Sequence, residues 1–233
     1  MCSANYNFDQ LVGRRGSDSI KWGVFDPDVL PMWIADMDFQ APQAIIDALQ
    51  KRVEHGVFGY TQEPQQLRDI VVEWILKHYD WKVRQEDLVF LPNVAVGFNL
   101  AVQAIGKPGT GLVFQPPIYY PILDVPSHAG MQPRPSQLIR RNDGHYEIDF
   151  DDLEKKASDN SSAFILCNPH NPVGRVYRRE ELEKIGQICL DCDLPICSDE
   201  IHADFVYDGH THIPIGSIDP ESVSYTHLRA HET

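Results

Sequence analysis

Three short segments hold the side chains with most chemistry in this 233-residue chain. They are Cys167-Asn-Pro-His-Asn-Pro-Val-Gly174, Ser198-Asp-Glu-Ile-His202 and Pro116-Pro-Ile-Tyr-Tyr-Pro121, each directly after an apolar run. Taken singly they are weak signals, because Asn-Pro pieces usually make turns and an acid at a strand end is usually solvated. Two other patterns invite a metal or redox reading. Cys189-Leu-Asp-Cys192 is a C-x-x-C followed by Cys197 and His202, and His210-Thr-His212 could pair on a cation. No second C-x-x-C accompanies the first, and Cys189 and Cys197 fall in apolar helix and strand patterns, where a thiol behaves as a small hydrophobe. No metal site is therefore expected.

Hydrophobic periodicity supplies the elements that must position these segments. A helix opens at Ala41-Pro42, with Ile45, Ile46, Leu49 and Val53 on one face, and stops at Gly56. Further helices are predicted over 64–79, 94–105, 119–128, 149–156 and 180–191. Strands are predicted at 87–91, 111–115, 137–140, 163–167 and 194–198. Short, wholly apolar strands separated by helices imply a mostly parallel sheet covered on both faces, a three-layer α/β domain. In such sheets ligands bind beyond the C-terminal strand ends, where all three segments lie. Residues 1–45 read as an arm belonging to a smaller domain, and 46–221 as an incomplete large domain. At 222–233 the periodicity stops, and this tail reads as non-native or disordered.

Bulk properties narrow the function classes. A formal net charge of −14 with no basic patch argues against nucleic acid. No apolar run approaches the ~18 residues of a membrane span. The opening MCSANYNFDQ lacks a signal-peptide pattern, and five cysteines fit no disulfide framework, so a cytoplasmic protein with reduced thiols is expected.

Together the segments resemble a known family. An N-P-x-G about 28 residues before an Asp-Glu, with WIADMDF (33–39), HGVFGY (55–60) and the 116–121 and 198–202 segments, resembles fold-type I pyridoxal-phosphate (PLP) enzymes. The likeness, to the cystathionine β-lyase-like branch of the class I/II aminotransferases, runs from residue 6 to about 219. It implies PLP as cofactor and a role for each matching residue. Asp199 would pair with the pyridine nitrogen, which must stay protonated for PLP to act as an electron sink. Asn171 and His202 would donate to the phenolate oxygen, and Tyr119 would stack on the ring. The Val94 and Ala95 amides, at a helix N-terminus, would receive the phosphate dianion. Tyr60 matches a catalytic-site tyrosine given across a homodimer interface to the neighbouring phosphate. Ala35 and Asp36 match the segment that closes over the substrate carboxylate. Read without the resemblance, His202 is as readily a structural histidine, Tyr119 a core residue and Gly59-Tyr60 a turn.

One expected group is missing. The Schiff-base lysine of this family follows the Asp-Glu by some 30 to 35 residues, whereas the last lysine here is Lys184. The resemblance thus implies a PLP-dependent carbon–sulfur β-lyase acting on a small amino acid when full length, with this chain an inactive fragment. The rivals are a PLP-dependent aminotransferase, which shares the fold, and an inert fragment or regulatory binding protein.

Overall fold

The computed structural model describes residues 6–207, 209–218 and, for the backbone alone, 226–228. The chain forms two compact units, Met1–Gln62 and Glu63–Glu232.

The first unit contains a single turn, α1 (Ile20–Gly23), and α2 (Gln43–His55). Pro42 precedes α2 in extended geometry, so the proline lies one step outside the helix, not in its first turn. Gly56 ends α2 in the left-handed region at φ 70°, its N–H closing on the Val53 carbonyl at 3.0 Å. A side chain would be strained there.

The second unit opens with α3 (Gln65–Tyr79) and α4 (Val94–Ile105), then alternates strand and helix. β1 (Gly111–Phe114), α5 (Val125–His128), β2 (Gln132–Pro135), β3 (Ile139–Arg140), β4 (Tyr146–Glu147), α6 (Phe150–Ser158), β5 (Ser161–Cys167), α7 (Arg179–Asp191), β6 (Ile196–Asp199) and β7 (Thr226–Leu228) follow. The main sheet has the order β2-β1-β5-β6-β7 with every pairing parallel. β3 and β4 make a separate antiparallel pair.

Alternation along the strands divides the core into two layers. Leu112, Phe114, Ala163, Ile165, Cys167 and Cys197 face one way and pack with Phe98, Ala101 and Val102 of α4. Val113, Phe164, Leu166 and Ile196 face the other and pack with Leu153 of α6 and Leu182, Ile185 and Ile188 of α7. The three-layer α/β architecture follows directly.

Four expectations need correction. Residues 87–91 form no strand: a 3-10 turn, Gln85–Asp87, consumes the local backbone groups, and Arg68 binds the Leu88 carbonyl at 3.0 Å. Of the strand expected at 137–140 only Ile139–Arg140 forms, as β3 of the antiparallel pair, and the main sheet gains an unexpected edge strand, β2, which carries Pro133 and Pro135. Gln132 and Ser136 turn their N–H groups to β1, so the prolines occupy outward positions of an edge strand, where no donor is needed. The helix expected over 119–128 is a 3-10 segment, Tyr120–Asp124, followed by the single turn α5, with Pro121 and Pro126 at their starts. Within the 222–233 tail, Thr226–Leu228 pairs with β6 where no strand was expected; the rest of the tail lies outside the described residues.

Candidate active site

Because β1, β5 and β6 are parallel, their C-terminal ends share one edge, and all three sequence segments leave from it. Asp199 is the last residue of β6, paired with Cys167 of β5, and only 1% exposed. Two residues after Cys197, it shares that residue's face of the sheet, the face covered by α4. Burial first, then the Asp199 charge, push the Cys167 and Cys197 thiols well above their ordinary range. One carboxylate oxygen of Asp199 accepts the Ile201 N–H at 3.2 Å.

Tyr119, Val94 and Ala95 pack against the same apolar cluster that holds Cys167 and Cys197. Val94 and Ala95 are the first two residues of α4, whose amides have no carbonyl four residues back within the helix. Asn93 caps this end, its side chain accepting the Val96 N–H at 2.8 Å. The main-chain N–H of Asn171 donates to the Cys167 sulfur, which holds this residue's backbone at the β5 end. His202 is half-buried in the turn three residues after Asp199, its ring 6.4 Å from that of Phe205. Asp199, Tyr119 and the α4 start thus all belong to the α4-covered face of the sheet, while Asn171 and His202 stand on the loops that leave β5 and β6.

The remaining site residues from the sequence lie in the first unit. Tyr60 is fully exposed, and Ala35 is exposed. The Asp36 carboxylate is held by Arg14 at 2.7 Å, and its carbonyl accepts the Lys21 ammonium at 2.6 Å. Asp38 receives Lys21 at 2.7 Å, Trp22 Nε1 at 2.7 Å and Arg14 at 2.8 Å. The Lys21 hydrogen bond, then that of Trp22, hold the Asp38 carboxyl down to about 2.

Residues 27–228 match the family described as Aminotransferase class I and II. The chain belongs to that family. It is 46% identical over 220 residues to cystathionine beta-lyase PatB of Bacillus subtilis (strain 168), covering 91% of this chain and 56% of that protein. It superposes with a TM-score of 0.89 on cystalysin from Treponema denticola, whose crystal structure contains a pyridoxal 5'-phosphate cofactor. That match is 32% identical and covers 97% of this chain and 59% of the other. The PLP-bound C-S lyase from Staphylococcus hominis superposes at 0.88, 33% identical, covering 96% and 58%. The chain therefore spans between half and two thirds of the length of these relatives.

Several groups in this aminotransferase-family chain escaped the sequence reading. His170 is buried, which lowers its pKa below the ordinary value and keeps it neutral. Its Nε2–H donates to the Pro117 carbonyl at 2.9 Å, so Nδ1 accepts the Tyr177 hydroxyl, also at 2.9 Å. The pair ties the loop carrying Asn171 to the loop carrying Tyr119. Arg175 Nη2 donates to both carboxylate oxygens of the buried Glu181, each at 2.6 Å, in the chain that follows this loop. His170 stands inside the 167–174 segment and was open to notice; Tyr177 carried no signal beyond its aromatic type.

Of the residues offered as metal or redox candidates, His212 is buried against Glu200, His210 is exposed, and Cys189 and Cys192 are free thiols. Two lysines have defined partners. Lys184 sits on α7, on the opposite face of the sheet from α4, with its ammonium 4.2 Å from the Phe150 ring centre. In the first unit, Lys21 is committed to Asp36 and Asp38.

Proposed function

We propose that this chain is the cofactor-holding part of a PLP-dependent carbon–sulfur β-lyase, acting as a homodimer on an amino acid with sulfur at Cβ. The observation that carries the reading is Asp199, buried at the end of β6 on the face shared with Tyr119 and the α4 N-terminus. A carboxylate at this strand end is the kind of group that keeps a pyridine nitrogen protonated, which is what PLP requires. The donor set suits the rest of the group: the amides at the α4 N-terminus suit a phosphate dianion, and Tyr119, packed against the same apolar layer, offers an aromatic face. When bound, PLP supplies an electron sink for charge developing at the substrate Cα.

Each residue of the chain then has a bounded task. Asp199 accepts the pyridinium N–H and keeps that proton in place. Val94 and Ala95 donate to the phosphate, while Asn171 and His202 donate to the phenolate oxygen. Tyr119 orients the ring and excludes water from one side of it. The exposure of Tyr60 suits a residue given to a neighbouring subunit's phosphate. Ala35 and Asp36 close over the substrate carboxylate, with Asp36 contributing backbone because Arg14 already occupies its carboxylate. Free buried thiols suit the cytoplasm. The lyases among the relatives favour β-elimination over amino transfer; release of thiol and pyruvate, as against keto-acid exchange, separates the two.

The direct test is PLP binding by the chain itself, followed by cofactor absorbance and fluorescence. Asp199→Asn, which keeps the shape and removes the charge, should weaken binding about tenfold or more, the worth of a hydrogen bond to a charged group. Binding equal to that of the unaltered chain would remove Asp199 from the site.

A further inference from the structure

Glu200 follows Asp199 in sequence but leaves the strand on the opposite face. It is 1% exposed, and its partners lie on the α7 side, next to Ile215 of the other apolar layer. One oxygen accepts the Ser198 hydroxyl at 2.8 Å and the Ile215 N–H at 3.2 Å. The second receives His212 Nε2–H at 2.6 Å. His212 is itself 4% exposed, its ring edge-on to Tyr79 of α3 at 5.7 Å.

A buried carboxylate is tolerated only when its lone pairs are matched, and here three donors from three places match them. The main-chain ladder ends one residue earlier, where the Asp199 carbonyl accepts the Asn168 N–H at 3.0 Å. Beyond that bond, the direction of the turn 199–202 depends on what grips it. Rotating this backbone would carry the Glu200 carboxylate away from all three donors, and would swing Asp199 off the α4 face with it.

We propose that Glu200 and His212 are positioning residues: from behind the sheet they fix the turn that aims Asp199 at the cofactor. This rests on the reading of Asp199 as the pyridine partner. The Asp-Glu pair then divides its labour, one acid facing the ligand and its neighbour anchoring the backbone.

The experiment uses the 233-residue chain, PLP as probe, and hydrogen–deuterium exchange at the Ile201 amide, whose bond to Asp199 reports the turn. Glu200→Ala should weaken PLP binding about tenfold and accelerate exchange at Ile201, and Glu200→Gln, which keeps an acceptor oxygen, should restore most of both. His212→Ala, which leaves Glu200 its other two donors, should give the same changes at smaller size and serves if Glu200→Ala does not fold. Leu182→Ala, in the α7 layer, is the stability control and should leave PLP binding within about twofold, since it opens a cavity without touching the turn. If Leu182→Ala weakens binding as much as Glu200→Ala, the effect is lost stability and the inference falls. It also falls, alone, if Asp199→Asn weakens binding while the folded Glu200 and His212 variants bind PLP and exchange like the parent. If Asp199→Asn binds PLP unchanged, the cofactor reading itself falls and takes this inference with it.

Discussion

At the scale of single residues, the site is a set of backbone and side-chain groups whose partners are already fixed. Asn93 shows how little sequence is needed: one amide oxygen on the Val96 N–H defines where α4 begins and leaves the next amides exposed to an anion. Asn93→Ala should cost about 1 kcal/mol of stability, read as a shift of the urea midpoint at constant slope. A shift larger than about 2 kcal/mol would mean that Asn93 does more than cap. Asp38 gives a pH prediction. Its carboxyl, ordinarily at 3.8, is held down to about 2 by Lys21 and Trp22. A group depressed in the folded state contributes its stability above the unfolded value and loses it as pH falls through the folded one. The arm contacts should therefore be intact above about pH 4 and loosen toward about pH 2. The Trp22 indole N–H resonance is the probe; a change already complete above about pH 4 would assign the transition to another group.

At the scale of elements, β1, β5 and β6 set the edge from which the candidate residues leave, because each is buried on both faces. β5 alternates Ala163, Ile165 and Cys167 toward α4 with Phe164 and Leu166 toward α7, so neither layer can slip without exposing the other. Leu166→Ala should cost about 2–5 kcal/mol, and calorimetry should show one lowered transition for the second unit. A cost under about 1 kcal/mol would show that the layer collapses around the cavity. Gly106 is a second element-scale constraint, at the turn from α4 toward β1. A Cβ there would stand 2.6 Å from Met131 Sδ and 2.7 Å from the Val102 carbonyl. The methionine can move and the carbonyl cannot, so Gly106→Ala should lower the melting temperature, whereas Gly59→Ala, with nothing within 4 Å, should not.

At the scale of the whole molecule, the two lysines with defined partners are each engaged away from Asp199: Lys184 with Phe150 and Lys21 with Asp36 and Asp38. Lys184 lies on the α7 side of the sheet, and Lys21 is bound within the arm. The chain with PLP and cystathionine should accordingly release no pyruvate above the rate of PLP alone, while still binding the cofactor. Positioned acid–base groups contribute about 10²–10⁴-fold by themselves, so the lack of one should be plain in a coupled pyruvate assay. Steady turnover would show that a lysine of this chain supplies the amine, and would overturn this expectation.

The places of several candidate residues were legible from local pattern alone. Asp199, Asn171 and Tyr119 stand at or after the ends of buried strands, and a parallel sheet collects such positions at one edge whatever the side chains between them. The helix over 94–105 and the strands at β1, β5 and β6 were equally legible, since burial on both faces leaves a continuous apolar run. β2 was not, because its two prolines are admissible only on an edge strand, and edge position is a property of the sheet. Nor was the absence of a strand at 87–91, where apolar residues met no neighbouring ladder and the preceding turn took the backbone bonds. The opposite duties of Asp199 and Glu200 were beyond the sequence as well. Two adjacent acids look alike in a string, and only the alternation of a strand between two packed layers turns one toward the ligand face and buries the other against His212.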